Sequence, residues 1–181
     1  MAAIQDIDHT QDFREPWTVE LDRVVGCLRD PESGRSWLSE AGSITARLRQ
    51  HWPQVQVDVL WEGVRVPRWD ESPCEALPPD ALAWVREVRL HAHGIPLVSA
   101  KTVIPDWASA HAWRAVASLG SRPLADLLFS ETGSDRSAMA FALLTRDGLQ
   151  RPARRCIHTR QGASLWLTEV FDLLTQPTGS V

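Results

Sequence analysis

The chain has 181 residues, 44% of them apolar, and a formal charge of −4 at pH 7, which suits one globular domain. The acidic balance disfavours a nucleic-acid partner, and no run reaches the roughly 20 apolar residues that would insert into a membrane. The polar N-terminus predicts no signal peptide, and three widely spaced cysteines without a CxxC motif predict reduced thiols in the cytoplasm and no metal site.

Helices are predicted before the first strand. Apolar side chains recur at helical spacing over residues 16–28, and the run 29–34, which contains Pro and Gly, is expected to end that helix. A second helical stretch is interrupted at 41–42, after which Ser43 is suited to cap another helix. This arrangement of helix, break and helix predicts a flap.

Strands are predicted from the middle of the chain onward. Alternation with a period of two over residues 54–61 indicates a strand that turns at 62–63. A Pro-rich surface loop is expected next. Residues 83–92 and 97–104 then predict a hairpin that turns at 93–94.

The C-terminal third predicts two helical segments followed by strands. Helices are expected over 105–119 and 123–129, and a strand over 139–145. The final hairpin is predicted from 155–160 and 164–173.

Short connections between these strands imply antiparallel pairing. The predicted class is therefore α+β, a single domain with an antiparallel sheet of about six strands and helices packed on it. We predict that this domain covers residues 15–175, between polar tails over 1–14 and 176–181.

Two charged residues fall on apolar strand faces. Arg86 shares its face with Trp84 and Leu90, and Glu169 shares its face with Leu167. Burying either charge without a partner would cost on the order of several kcal/mol. One interpretation is a structural salt bridge between Arg86 and Glu169. The other is a buried pocket in which Arg86 binds a ligand carboxylate and Glu169 accepts a hydrogen bond from a ligand hydroxyl.

The same residues lie in a series of motifs that resembles the chorismate pyruvate-lyase family of bacterial ubiquinone synthesis. The motifs are GSIT at 42–45, WVREV at 84–88, SAKTVIP at 99–105, RPL at 122–124, LLF at 127–129, ARR at 153–155 and LTEVF at 167–171. The resemblance extends from about residue 17 to residue 173, and its specificity comes from the order of the whole set.

The resemblance implies an activity and a set of site residues. Members of the family cleave chorismate to 4-hydroxybenzoate and pyruvate without a metal or organic cofactor, on a six-stranded antiparallel sheet with flaps over a buried site. The family's arginine matches Arg86, which would bind the ring carboxylate, and its glutamate matches Glu169, beside the ring hydroxyl. Backbone groups at Ile44 and Leu124 would help to hold the ligand. Arg86 and Glu169 are thus the predicted catalytic residues.

The chain departs from the family pattern at two positions. Lys101 stands where the family usually has Arg, so the positive charge is kept and the planar fork is lost. Lys101 is still predicted to bind substrate and to attract the enolpyruvyl carboxylate, with Arg154 or Arg155 as other candidates. Cys156 stands in place of a serine of similar size.

The predicted function is the lyase reaction, in a monomer that its product 4-hydroxybenzoate inhibits. The alternative is a non-catalytic module of the same fold that binds a small ligand, as effector domains of some regulators do. Residues 1–80 contain no basic recognition helix, which disfavours that alternative.

Overall fold

Eight antiparallel strands form one sheet in the described part of the chain. The computed structural model describes residues 17–68, 71, 77–78, 80–129 and 134–177. The strands are β1 Gln56–Arg65, β2 Ala83–Ala92, β3 Ile95–Pro105, β4 Asp135–Arg136, β5 Ala140–Arg146, β6 Leu149–Arg160, β7 Ala163–Val170 and β8 Gln176–Pro177. The order across the sheet is β1-β2-β3-β7-β6-β4, and β5 and β8 also pair with β6. The predicted α+β class is confirmed.

Short helices accompany this sheet. They are α1 Leu21–Val25, α2 Pro31–Leu38, α3 Ile44–His51 and α4 Ala125–Leu128, with 3₁₀ helices at Arg114–Ser118 and Asp172–Leu174. The predicted cap of α3 is confirmed, because the Ser43 hydroxyl accepts a hydrogen bond from the Ala46 amide at 3.1 Å. None of the described helices has the length and apolar character needed to cross a membrane.

Three local predictions were wrong. The break predicted at 29–34 lies earlier, over residues 26–30, and α2 already begins at Pro31, because the Asp30 carboxylate accepts from the Ser33 amide at 3.0 Å and caps the new helix. β1 continues through residues 62–63, where a turn was predicted, and a register shift near Trp61 accommodates it. Pro105 ends β3 instead of opening a helix.

The predicted domain boundaries lie partly outside the described residues, as does the N-terminal tail. At the C-terminal end, Gln176–Pro177 pairs with β6, so the ordered fold passes residue 175. The Gln176 side chain is buried and bonds the Arg29 amide at 2.8 Å and the Cys27 carbonyl at 2.7 Å. These contacts join the C-terminal strand to the segment between α1 and α2.

Two apolar clusters cover the same face of the sheet. Helices α1 to α3 pack at one end, where Val88, Leu90 and Val98 of the sheet are buried with them. The 3₁₀ helix Arg114–Ser118 and α4 pack at the other end, over a patch that includes Trp84. Each cluster removes apolar surface from water, which stabilises the fold. The row of sheet residues between the two clusters contains Arg86.

Candidate active site

A cavity occupies the gap between the two clusters. Its open space, which includes the mouth, is about 680 Å³. β2, β3, β7 and β6 form its floor, and the start of α3 and residues 123–129 form its roof. Most lining residues are apolar, and the charged ones are Arg86, Arg136, Arg154 and Glu169.

Arg86 is a deeply buried cation in the floor of the cavity, with 1% of its surface exposed. One terminal nitrogen donates to the Gly120 carbonyl at 2.6 Å and to the Arg122 carbonyl at 3.1 Å. Its Nε lies 3.5 Å from a Glu62 carboxylate oxygen and has no hydrogen bond. Burial lowers the pKa of the Arg86 guanidinium, and the charge of Glu62 opposes that shift. Backbone carbonyls therefore orient this side chain and leave further N–H groups for a ligand.

The Gly120 carbonyl is available to Arg86 because the chain turns sharply there. Gly120 has a φ of +54°, in the left-handed region that residues with a Cβ adopt at a cost. The turn joins the 3₁₀ helix Arg114–Ser118 to the segment that carries Leu124. Glycine at this position thus helps to place both an acceptor for Arg86 and a wall of the cavity.

Glu169 lies on β7 in register with Arg154 of β6. The Arg154 Nε donates to a Glu169 carboxylate oxygen at 2.6 Å. Arg86 and Glu169 therefore pair with different residues, and the hypothesis of a salt bridge between them is wrong. Both nevertheless line the same cavity.

Two arginines of the cavity wall bond the segment between α2 and α3. A terminal nitrogen of Arg154 donates to the Leu38 carbonyl at 3.3 Å and to the Glu40 carbonyl at 2.6 Å. Arg136 donates to the Ala41 carbonyl at 2.8 Å. Two guanidinium groups of the cavity wall are thus bonded to the segment that was predicted as a flap.

Ile44 and Leu124 contribute to the roof from two helix starts. Ile44 is the first residue of α3, and Leu124 caps the N-terminus of α4. The first amides of a helix have no acceptor within it. Their backbone donors therefore suit the ligand-binding role that the family resemblance implies for these positions.

Comparison with known proteins is consistent with this geometry. Residues 28–178 match the family described as chorismate lyase. A protein named "Probable chorismate pyruvate-lyase" from Aromatoleum aromaticum is 35% identical over 83% of this chain and 91% of its own length. One of the same name from Marinobacter nauticus is 37% identical over 92% of each chain. The "Chorismate pyruvate-lyase" of Sodalis glossinidius is 34% identical over 77% of each. This chain belongs to the chorismate lyase family.

Within this member of the chorismate lyase family, Lys101 does not face the cavity. Register pairs Thr102 with Arg86, so Thr102 points to the cavity and Lys101 to the opposite face of the sheet. There its ammonium lies 3.3 Å from a carboxylate oxygen of Glu71. The expected contact between Lys101 and the substrate therefore lacks the geometry it needs.

Sequence reasoning did not single out His158, and it left the role of Arg154 open. Both lie on β6, where Arg154, Cys156 and His158 alternate toward the cavity. The sequence signal that could have indicated their place in the cavity was the alternation of three polar side chains along one inner strand. Alternation by itself could not show that Arg154, rather than its neighbour Arg155, faces Glu169.

Cys156 and His158 form a neutral pair in the cavity. Burial, with a contribution from the charge of Glu169, raises the pKa of the Cys156 thiol to about 11. Burial and the charge of Arg136 lower the pKa of the His158 imidazole to about 4. The Cys156 Sγ lies 3.5 Å from the His158 Nε2. At neutral pH this is a thiol beside a neutral imidazole, which does not favour a nucleophilic cysteine.

No three His, Cys, Asp or Glu side chains cluster as a metal site within the described ranges. Freedom from a cofactor stays a prediction of the family resemblance.

Proposed function

We propose that this cavity is where the chain removes pyruvate from chorismate to form 4-hydroxybenzoate, the first step of ubiquinone biosynthesis. The observation that carries the assignment is that one buried cation, Arg86, and one partly buried carboxylate, Glu169, line the same mainly apolar cavity. Arg86 and Glu169 each have a different partner, so neither neutralises the other. A ligand with an anionic group at one end of a ring and a hydroxyl at the other complements them.

The register of the strands supports this proposal. Arg86 is in line with Thr102 of β3 and Leu167 of β7, and Glu169 is two residues further along β7. Strand spacing of about 4.8 Å and a rise of about 3.3 Å per residue put the two Cα atoms about 12 Å apart. Both side chains line the cavity, so one small ligand can contact the two.

Arg86 binds the ring carboxylate in this proposal. Its two carbonyl acceptors fix the plane of the guanidinium before the ligand arrives, and Nε and the other terminal nitrogen remain as donors to the carboxylate. The binding cost is small because the side chain is already ordered.

Glu169 acts as the acceptor for the ring hydroxyl. The Arg154 guanidinium at 2.6 Å fixes the orientation of the carboxylate. In the reaction, the bond between ring C3 and the ether oxygen breaks, C4 loses its hydrogen, and the ring becomes aromatic, while the departing enolpyruvate takes up a proton to become pyruvate. Holding the substrate in the reactive conformer contributes up to about 7–11 kcal/mol in well-oriented systems.

The direct test is turnover of chorismate by the purified chain. We expect 4-hydroxybenzoate, followed by its absorbance, and pyruvate, followed by a coupled lactate dehydrogenase assay, in equal amounts. Glu169→Gln is the companion variant, and it should lower kcat/KM while the circular dichroism spectrum stays unchanged. Tight binding of 4-hydroxybenzoate without any turnover would instead support the ligand-binding alternative.

The same pocket favours retention of the product. 4-Hydroxybenzoate keeps both the carboxylate for Arg86 and the hydroxyl for Glu169, so these two contacts do not distinguish product from substrate. We therefore expect competitive inhibition by 4-hydroxybenzoate at or below the KM for chorismate. Progress curves that stay linear in time and keep the same slope when 4-hydroxybenzoate is added would contradict competitive inhibition by the product.

A cytoplasmic monomer is the proposed setting. Cys27 and Cys156 are both free thiols, which supports a reducing compartment. Sedimentation of the purified chain at micromolar concentration tests the monomer, with a single species near 20.2 kDa expected.

A further inference from the structure

One wall of the cavity carries polar side chains that neither end of the ring uses. β4 and β6 pair so that Arg136 and His158 lie side by side, and both line the cavity with Cys156. Arg136 is exposed, which places it at the open side of the cavity. This wall is the part of the site left for the enolpyruvyl arm.

Chorismate is a dianion, and its second carboxylate needs a second cation. Three described cations line the cavity, Arg86, Arg136 and Arg154. Arg86 is assigned to the ring, and Arg154 is bonded to Glu169 and to two carbonyls. Arg136 has its bond to the Ala41 carbonyl, and no described carboxylate lies within ion-pair distance of it. Its charge is therefore the one available to the arm.

The register puts Arg136 on the side of the ring where the arm can extend. A line across the sheet joins Arg86 to Glu169. Leu90 and Val98 lie on one side of this line, toward the apolar cluster of α1 to α3. Arg136 lies on the other side. The arm leaves the ring carbon next to the hydroxyl-bearing one, beside Glu169. A carboxylate turned toward Leu90 and Val98 would be buried without a partner, at a high desolvation cost.

His158 gives independent support for a ligand oxygen at this wall. The residue is 6% exposed, and its Nδ1 is buried without a hydrogen-bond partner. The Cys156 thiol keeps its proton and can donate it to Nε2, which leaves the Nδ1 of the neutral imidazole as an N–H donor. Buried donors are rarely left unsatisfied, and a carboxylate oxygen between His158 and Arg136 would accept from both.

We infer that Arg136 binds the carboxylate of the enolpyruvyl arm, with His158 beside it as a neutral donor. The inference rests on the proposed function. It gives the site a means to distinguish chorismate from 4-hydroxybenzoate, which has no arm. Arg136 and His158 would thus bind substrate without adding affinity for product.

The test is Arg136→Gln, with kcat/KM for chorismate and the inhibition constant of 4-hydroxybenzoate measured on the same preparation. We expect kcat/KM to fall about 10- to 100-fold, as for loss of one partner of a charge pair, and the inhibition constant to stay within about two-fold. Arg136→Lys should recover part of the loss because it keeps the charge. Arg89→Gln is the matched control, since Arg89 is exposed and has the opposite strand parity to Arg86.

Each alternative result overturns the inference. An unchanged kcat/KM in Arg136→Gln would show that the residue does not meet the arm. If Arg136→Gln weakened the binding of substrate and product equally, Arg136 would act through the Ala41 carbonyl on the segment between α2 and α3. Absence of turnover in the wild-type chain would contradict the proposed function itself, and so is distinguishable from both.

Discussion

The two faces of the sheet at β2 and β3 both bury charge, but in different ways. The cavity face holds Arg86, which bonds two backbone carbonyls beside an open space and lies 3.5 Å from a Glu62 carboxylate oxygen. The opposite face holds an ionic cluster around Glu71, whose side chain is 0% exposed. The cluster consists of Arg65, Arg68, Glu71, Glu87 and Lys101.

Within the ionic cluster, the two carboxylates accept hydrogen bonds from several charged and backbone donors. Arg65 donates to both oxygens of Glu71 at 2.7 Å and to Glu87 at 2.8 Å. The Arg68 amide adds a bond to Glu71 at 2.8 Å. The ionic cluster holds residue 71 of the loop against the sheet, whereas Arg86 keeps capacity for a ligand. Burial of a charge therefore does not mark a functional site by itself, and the kind of partner it has is the informative feature.

The largest effect should come from Arg86→Ala, with Arg65→Ala as the matched variant on the opposite face. Loss of the ring carboxylate partner costs about 2–5 kcal/mol, so kcat/KM should fall by roughly 30-fold to several thousand-fold. Arg65→Ala should lower the melting temperature and leave kcat/KM of the folded protein unchanged. Activity assays beside thermal denaturation separate the two, and near wild-type turnover by a folded Arg86→Ala would remove Arg86 from the site.

The next effect concerns stability in acid. Burial alone would raise the pKa of Glu71, but bonds from Arg65, the charge of Lys101 and the Arg68 amide outweigh it and lower the pKa to about 2. A lowered pKa stabilises the fold above the ordinary value of 4.5, and this contribution is lost as the pH falls through 4.5 toward 2.

We therefore expect Glu71→Gln to lower the free energy of unfolding at pH 7 by on the order of 3 kcal/mol. The difference from wild type should shrink between pH 4.5 and pH 2, as measured by urea denaturation across that range. A difference that does not depend on pH would show that packing, rather than charge, holds Glu71 in place.

The smallest effect is expected for Lys101→Met. Lys101 contacts Glu71 on the opposite face and is partly exposed, so its loss should cost about 1 kcal/mol or less. The KM for chorismate should stay within about two-fold of wild type, because the side chain lies away from the cavity. A marked rise in KM with unchanged stability would restore Lys101 to the substrate site.

Sequence alternation was sufficient to find the main charges of the site. Arg86 and Glu169 stand out because each interrupts an apolar strand face, and that parity is a local property of the chain. The hairpin of β2 and β3, the cap at Ser43 and the antiparallel α+β class are local in the same sense. Short-range periodicity and turn chemistry determine all of them.

The remaining details depend on contacts between distant segments. Both faces of β3 are apolar enough to be buried, so only its register with β2 assigns Thr102 to the cavity and Lys101 to the ionic cluster. Likewise, Arg154 and Arg155 are neighbours in sequence, and the pairing of β6 with β7 selects Arg154 for Glu169. Arg136 reaches the Ala41 carbonyl across 95 residues. The sequence by itself determined that Arg86 and Glu169 lie on apolar strand faces, and the tertiary structure decided which partner each has, because strand register and loop closure depend on the packing of the whole sheet.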